Sequence, residues 1–89
     1  MPGMILLWRR RETGEQAAPR VGITVTKKIG NAVVRNRMKR RFRALARDVL
    51  APRAVPGHDY VLIGRREGIE RDYATLTDEL RRALESVGR

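Results

Sequence analysis

The first third of the chain carries two short hydrophobic stretches that are typical of β-strands. Residues 20–26 read RVGITVT, in which Val21, Ile23 and Val25 recur at every second position and β-branched side chains dominate. Residues 4–11 form a short apolar run that passes into arginines, and turn-forming glycine and proline residues lie between the two stretches. This arrangement predicts two strands, over about these residues, that pair as a hairpin.

The hydrophobic period changes to that of a helix after Asn31, which predicts an amphipathic helix over about residues 32–50. At about 100° per residue, one set of apolar side chains falls within an arc of about 80°. This set comprises Val34, Met38, Phe42, Leu45 and Val49. The opposite face is polar and mostly basic, and comprises Asn36, Lys39, Arg40, Arg43 and Arg47. Asn31 can cap the first turn, and the helix should end near Ala51 because Pro52 disfavours an α conformation in the residue before it.

The last third of the chain predicts one more strand and one more helix. Residues 60–63 form a continuous apolar run, so we expect a strand over about residues 59–64 with both faces covered. Helical spacing then returns, with Asp72 as a candidate N-cap and a helix over about residues 72–87. The apolar stripe of this helix comprises Tyr73, Leu76, Leu80, Leu84 and Val87.

The order of these elements is strand, strand, helix, strand, helix. It predicts a single α+β domain over residues 1–89, in which a small sheet of three to four strands packs against two helices. The central strand-helix-strand unit allows its two strands to run in parallel.

The formal net charge of +10 is concentrated in the middle of the chain. No acidic residue lies between Glu15 and Asp48, whereas the last third mixes acidic and basic residues. A block of like charge is often only a solvated surface or a localisation-type basic cluster. The segment Arg35-Asn36-Arg37, however, places cations near the N-terminus of the predicted helix, where the helix dipole disfavours each by roughly a few tenths of a kcal/mol. A bound polyanion would offset this cost, so the pattern favours a nucleic-acid-binding protein.

Residues that usually carry catalysis or bind metals are sparse. His58 is the only histidine, Ser86 is the only serine, and the sequence contains no cysteine. A zinc or two-metal site therefore has too few ligands, and we expect neither catalytic nor metal-binding residues in the protein itself. The segment around Lys27 and Lys28 does not match a phosphate-binding loop. Because no apolar stretch is long enough for a signal peptide or a membrane span, we expect a cytoplasmic protein without a membrane partner.

One segment carries a specific resemblance to a known family. Residues 26–43, TKKIGNAVVRNRMKRRFR, resemble the RNR motif of the bacterial ribonuclease P protein family. The strands on either side and the last helix fall in matching order, so the resemblance covers about residues 4–87. It implies a sandwich of sheet and helices that is shared with a ribosomal-protein domain. It also implies a left-handed βαβ crossover, although about 98% of such connections are right-handed.

The resemblance further implies a function and the residues that carry it. Family members are the protein subunits of an endoribonuclease in which a catalytic RNA, with Mg²⁺, removes the 5′ leader from precursor transfer RNA, and the protein alone is inactive. The family's RNA-binding segment matches Lys27, Lys28, Arg35, Asn36, Arg37, Lys39, Arg40 and Arg43. The candidates for contact with the leader are Trp8, Thr24 and Thr26. The expected partners are the catalytic RNA and precursor transfer RNA, bound by one protein monomer, without DNA.

Members of this family usually carry a further N-terminal segment that forms a first helix and the start of the sheet. The printed sequence begins close to the first predicted strand. If the protein lacks such a segment, we expect leader binding and stability to be affected more than binding of the catalytic RNA; a start codon assigned too far downstream would explain the short N-terminus equally well.

Other classes of protein share some of these features. A basic ribosomal or other structural RNA-binding protein would carry the same charge but would need no leader cleft. A DNA-binding regulator usually has a recognition helix that follows a packed helix and a tight turn, whereas the basic helix here follows a strand. A nuclease that works without RNA is disfavoured by the scarcity of catalytic side chains.

Overall fold

The computed structural model describes residues 2–11 and 18–87 of the chain. Three strands form one sheet, namely β1 (Met4–Arg10), β2 (Arg20–Thr24) and β3 (His58–Gly64). Two α-helices pack against it, namely α1 (Ala32–Leu45) and α2 (Tyr73–Ser86). The predicted α+β class is confirmed, and each predicted strand and helix is present.

β3 lies in the centre of the sheet, so the predicted hairpin between β1 and β2 is wrong. β1 pairs with β3 in the antiparallel sense, with Trp8 opposite Tyr60. β2 pairs with β3 in the parallel sense, with Ile23 opposite Leu62. The central position suits β3 because residues 60–63 in its middle are all apolar, whereas both outer strands carry arginine, which an edge position leaves in contact with solvent. α1 connects β2 to β3, which is the parallel strand-helix-strand unit that the resemblance implies.

The helices cover only one face of the sheet, so the expectation that both faces of β3 are covered is also wrong. On the covered face, Tyr60 and Leu62 are buried, whereas Val61 and Ile63 on the other face are only half-buried. Residues that are paired across strands point to the same side, so the register identifies the rest of the uncovered face. We call this surface the open face, formed by Ile5, Leu7, Gly22, Thr24, Val61 and Ile63.

α1 begins and packs as its sequence predicts. The side chain of Asn31 accepts a hydrogen bond from the backbone N–H of Val34 at 3.0 Å. The helix then widens into a π-helical stretch, Ala46–Leu50, and ends in a 3₁₀ turn, Ala51–Arg53, that contains Pro52. The predicted apolar face is buried from Met38 onwards, through Phe42, Leu45 and Val49.

Asp72 is the N-cap of α2, and its carboxylate accepts a hydrogen bond from the backbone N–H of Thr75 at 2.9 Å. Hydrogen bonds from Thr75 lower the pKa of Asp72 because they stabilise its charged form. Tyr73, which the helical period placed in the apolar stripe, is exposed, and its hydroxyl donates to Asp48 at 3.4 Å. As the first residue of the helix, it lies at the margin of the core. The stripe residues that are buried are Leu76 and Leu80.

Candidate nucleic-acid interface

The side of α1 that faces away from the core is a continuous cationic surface. A shallow groove of about 540 Å³ runs along it. We call it the basic groove, lined by Val33, Asn36, Lys39, Arg40 and Arg43. Asn36, Arg40 and Arg43 are exposed and lie within an arc of about 60° around the helix axis. Because arginine offers planar, paired donors to phosphate oxygens, such a row can follow a nucleic-acid backbone.

Asp48 marks the end of this cationic surface along the chain. Its Oδ1 lies 2.9 Å from Nε of Arg47, and both side chains are largely exposed. This hydrogen-bonded ion pair lowers the pKa of Asp48 and raises the pKa of Arg47. Arg47 faces outward as its helical position predicts, but the neighbouring carboxylate offsets its charge.

The two arginines of the Arg35-Asn36-Arg37 triplet do not share one face of α1. They stand about 100° to either side of Asn36 around the helix axis. Arg35 is half-buried, whereas Arg37 is exposed and lines a second, smaller groove next to Ile69. The triplet therefore presents cations on both flanks of the basic groove.

Arg41 lies in the middle of the basic run, yet its contacts are structural. Its Nη1 lies 3.5 Å from the carbonyl oxygen of Ile69, and its Nη2 donates to the carbonyl oxygen of Arg71. Both carbonyl groups belong to the segment that leads into α2. Arg41 thus joins α1 to the segment before α2, and it was not among the predicted RNA-binding residues.

Lys27 and Lys28 occupy a 3₁₀ turn, Lys27–Ile29, between β2 and α1, and both are exposed. The carbonyl oxygen of Lys28 accepts a hydrogen bond from Nη2 of Arg66 at 3.1 Å. Arg66 follows β3 and was not among the predicted site residues. No local signal links it to Lys28, because only the parallel pairing of β2 and β3 brings the ends of these strands together.

The three candidates for leader contact do not form one surface. Thr24 is exposed on the open face at the end of β2, and Thr26, also exposed, follows two residues later. Trp8 lies on the other edge strand, where its pairing with Tyr60 places it on the covered side of the sheet. Its side chain is 41% exposed, and its ring centroid is 5.7 Å from that of His58. Trp8 and Thr24 therefore lie on opposite faces.

Within residues 2–11 and 18–87, no group of three or more His, Cys, Asp or Glu residues is arranged to hold a metal ion. None of the helices in this part of the chain is both long enough and apolar enough to cross a membrane. His58 is the first residue of β3, and its Nδ1 lies 3.3 Å from the carbonyl oxygen of Pro56.

Comparison with known proteins identifies the family to which this fold belongs. The sequence model of the family described as Ribonuclease P matches residues 2–88. The chain belongs to the ribonuclease P protein family. The ribonuclease P protein component of Erythrobacter litoralis is 54% identical over 91 residues, which cover 98% of this chain and 73% of that protein. That of Ruegeria pomeroyi is 51% identical over 85 residues, which cover 94% of this chain and 68% of that protein.

Solved structures of the family have the same fold. The RNase P protein from Thermotoga maritima superimposes with a TM-score of 0.77 at 28% identity, covering 97% of this chain and 78% of that one. The Staphylococcus aureus RNase P protein, at 24% identity, matches in fold with a TM-score of 0.72. The predicted role as a ribonuclease P subunit is confirmed, and a ribosomal or other structural RNA-binding protein is not favoured.

A ribonuclease P protein works with RNA in a ribonucleoprotein. RNA is therefore the polyanion that the cations near the N-terminus of α1 predicted. The fold accounts for the position of the basic groove: the core holds one side of α1, and the cations occupy the other. Which of these side chains touch RNA stays a prediction.

Proposed function

We propose that this protein binds the catalytic RNA subunit of ribonuclease P through the basic groove and assists it in removing the 5′ leader of precursor transfer RNA. The observation that carries the proposal is the division of α1, where Phe42 is fully buried while Arg40 and Arg43 are exposed in the groove. A backbone of phosphates supplies the negative charge that this outer face lacks. The expected RNA contacts are Lys27, Lys28, Arg35, Asn36, Arg37, Lys39, Arg40 and Arg43.

We assign the cleavage chemistry to Mg²⁺ ions held by the RNA subunit, so that the protein by itself is inactive. Bound metal ions in such a reaction polarise the phosphate and activate the attacking water. The protein surface does not fit these ions, because the basic groove is cationic and the described residues form no cluster of carboxylates. The protein then acts by charge: its cations offset repulsion between RNA phosphates, which lowers the Mg²⁺ concentration that the complex needs.

We also propose that the leader crosses the open face of the sheet beside Thr24. Ile5 and Leu7 are exposed there, and aliphatic side chains form no hydrogen bonds that would select one base over another. Thr26 continues from Thr24 towards the lysine turn, so that phosphates at this end of the sheet meet positive charge. Trp8 would contact the leader only where the RNA passes around the edge of β1.

The proposal includes one protein monomer in each ribonucleoprotein and a cytoplasmic location. The support for the location is functional, because precursor transfer RNA in a bacterial cell is made in the cytoplasm. The support for a monomer is that one copy of α1 presents the whole basic groove.

The test is a cleavage assay on precursor transfer RNA across a series of Mg²⁺ concentrations. The purified protein, a transcribed bacterial ribonuclease P RNA and their mixture are compared. We expect no cleavage by the protein, and cleavage at low Mg²⁺ only by the mixture. Cleavage by the protein alone would overturn the assignment of catalysis to RNA.

The same assay tests the basic groove with two variants. The charge reversal Arg40→Glu should fail to restore cleavage at low Mg²⁺. The control Arg81→Ala, at an exposed position of α2, should restore it as well as the unmodified protein does. A mixture that is no more active than the RNA alone would count against the proposed role of the protein.

A further inference from the structure

We infer that Arg66 is a positioning residue of the RNA interface, which holds the turn that presents Lys27 and Lys28. The inference rests on the proposed function in one respect, namely that these two lysines contact RNA. It adds a residue from the loop after β3 to an interface that otherwise consists of α1 and the turn before it.

The topology brings two distant loops to one edge of the sheet. β2 and β3 are parallel, and Thr24 at the end of β2 pairs with Ile63 near the end of β3. Beyond these ends, the chain forms the 3₁₀ turn Lys27–Ile29 on one side and the 3₁₀ turn Arg66–Gly68 on the other. Because the carboxyl ends of parallel strands meet at the same edge, cations that are far apart in sequence become neighbours.

One hydrogen bond joins the two turns. Nη2 of Arg66 donates to the carbonyl oxygen of Lys28 at 3.1 Å, across a sequence separation of 38 residues. The adjacent Arg65 is used differently, since it is half-buried and its Nε lies 3.5 Å from Oε2 of Glu67. Within residues 2–11 and 18–87, no carboxylate lies at ion-pair distance from Arg66.

The lysine turn has few other restraints. Within it, the N–H of Ile29 donates to the carbonyl oxygen of Thr26 at 3.1 Å, and the buried side chain of Ile29 anchors one end. The side chain of Thr26 forms no capping hydrogen bond. The carbonyl group of Lys28 lies between the two lysine side chains and the buried Ile29. The hydrogen bond from Arg66 therefore ties this part of the turn to the loop after β3.

Charge gives a second, independent reason to connect Arg66 with RNA. The guanidinium group of Arg66 adds a third positive charge to those of Lys27 and Lys28. These charges lie just before the N-terminus of α1, where the helix dipole is also positive. Like charges gathered at close range oppose folding, and no acidic residue lies in the first turn of the helix to offset them. RNA phosphates supply the compensating charge when the complex forms.

The test is a double-mutant cycle on the affinity for a transcribed bacterial ribonuclease P RNA. Arg66→Ala is measured in the unmodified protein and in a background with Lys27→Ala and Lys28→Ala. We expect Arg66→Ala to weaken binding about fivefold in the unmodified protein and less than about twofold without the lysines. The salt dependence of binding is measured in parallel, and Arg66→Ala should change its slope only while the lysines are present.

Three outcomes would overturn the inference. Equal effects of Arg66→Ala in both backgrounds would mean that Arg66 binds RNA by itself. Unchanged affinity after Arg66→Ala would mean that Arg66 has no role in RNA binding. Unchanged affinity after loss of both lysines would mean that the lysines do not contact RNA, so that Arg66 could not act through them. The control Arg81→Ala and thermal unfolding of each variant separate these effects from a general loss of charge or stability. The proposed function is tested apart from this by Arg40→Glu, which removes groove binding without touching the lysine turn.

Discussion

Gly3 and Gly68 pack backbone against backbone: a Cβ atom on Gly68 would lie 2.5 Å from the carbonyl oxygen of Gly3. The same carbonyl accepts a hydrogen bond from the N–H of Arg65 at 3.0 Å, and the N–H of Gly3 donates to Glu79 at 2.9 Å. The residue before β1 is thus fixed between the loop after β3 and helix α2. This contact holds the loop that contains Arg66 against the sheet.

We predict that Gly68→Ala lowers the free energy of unfolding by about 1–3 kcal/mol, because backbone atoms cannot move away as a flexible side chain would. The matched control is Gly22→Ala, where the nearest atom to a new Cβ is Cγ2 of Val61 at 3.9 Å, an ordinary contact. This control should be neutral or slightly stabilising. Urea denaturation measures both, and equal losses would show that the backbone contact is unimportant.

Arg40 and Arg41 are neighbours in sequence, and we predict that they have separate functions. Arg40→Ala should leave stability unchanged but weaken RNA binding and reduce the slope of log affinity against log salt by roughly 0.7 to 0.9. Arg41→Ala should keep this slope but lower stability by about 1–2 kcal/mol, because the carbonyl groups of Ile69 and Arg71 lose their donor. Denaturation and a salt series of binding measurements distinguish them. The reverse pattern would contradict the contacts described above.

The N-cap of α1 allows stability and RNA binding to be changed in opposite directions. Asn31→Asp keeps the capping oxygen and places a negative charge where the helix dipole favours it, so stability should stay equal or rise by roughly a few tenths of a kcal/mol. RNA affinity should fall, because the carboxylate repels phosphate beside Lys28 and Arg35. Asn31→Ala, as a control, should cost about 1 kcal/mol of stability without adding repulsion. Unchanged affinity in Asn31→Asp would mean that RNA does not approach this end of the helix.

Asp72 should contribute to the loss of stability in acid. Its pKa in the folded protein is lowered by the hydrogen bonds from Thr75, so its stabilising effect is present above the unfolded pKa and is lost as pH falls through the folded pKa. Asn in its place keeps a cap but does not titrate. We expect the stability of the unmodified protein to fall relative to Asp72→Asn below about pH 4, and to run parallel to it above about pH 6. Urea denaturation over this pH range measures the difference, which would be constant if the cap were not ionised.

The path of the leader can be tested by cross-linking from single cysteines, since the sequence contains none. A photoreactive group at Thr24→Cys should cross-link to the leader of a bound precursor more strongly than one at Trp8→Cys, because only Thr24 lies on the open face. Arg81→Cys on α2 serves as the background. Stronger cross-linking from position 8 would place the leader on the covered side of the sheet instead.

Much of this protein follows from residues that are close together in sequence. The helical period from Val34 to Val49 correctly predicted the buried and the basic faces of α1, and both caps, Asn31 and Asp72, were correctly predicted. These features depend on the spacing of side chains along one element and on hydrogen bonds within one turn. The family, too, could be recognised from residues 26–43 alone, because the motif is a local run.

Other features depend on the pairing of strands, and these were decided by the tertiary structure. β3 lies between β1 and β2, so these two strands do not form the expected hairpin. One face of the sheet is open, although the apolar run at residues 60–63 had suggested that both faces are covered. The same pairing places Trp8 and Thr24 on opposite faces and brings Arg66 to Lys28. Charge alone could not separate Arg40 from Arg41, since the contacts of Arg41 are with carbonyl groups nearly thirty residues away, which only the folded chain brings within its reach.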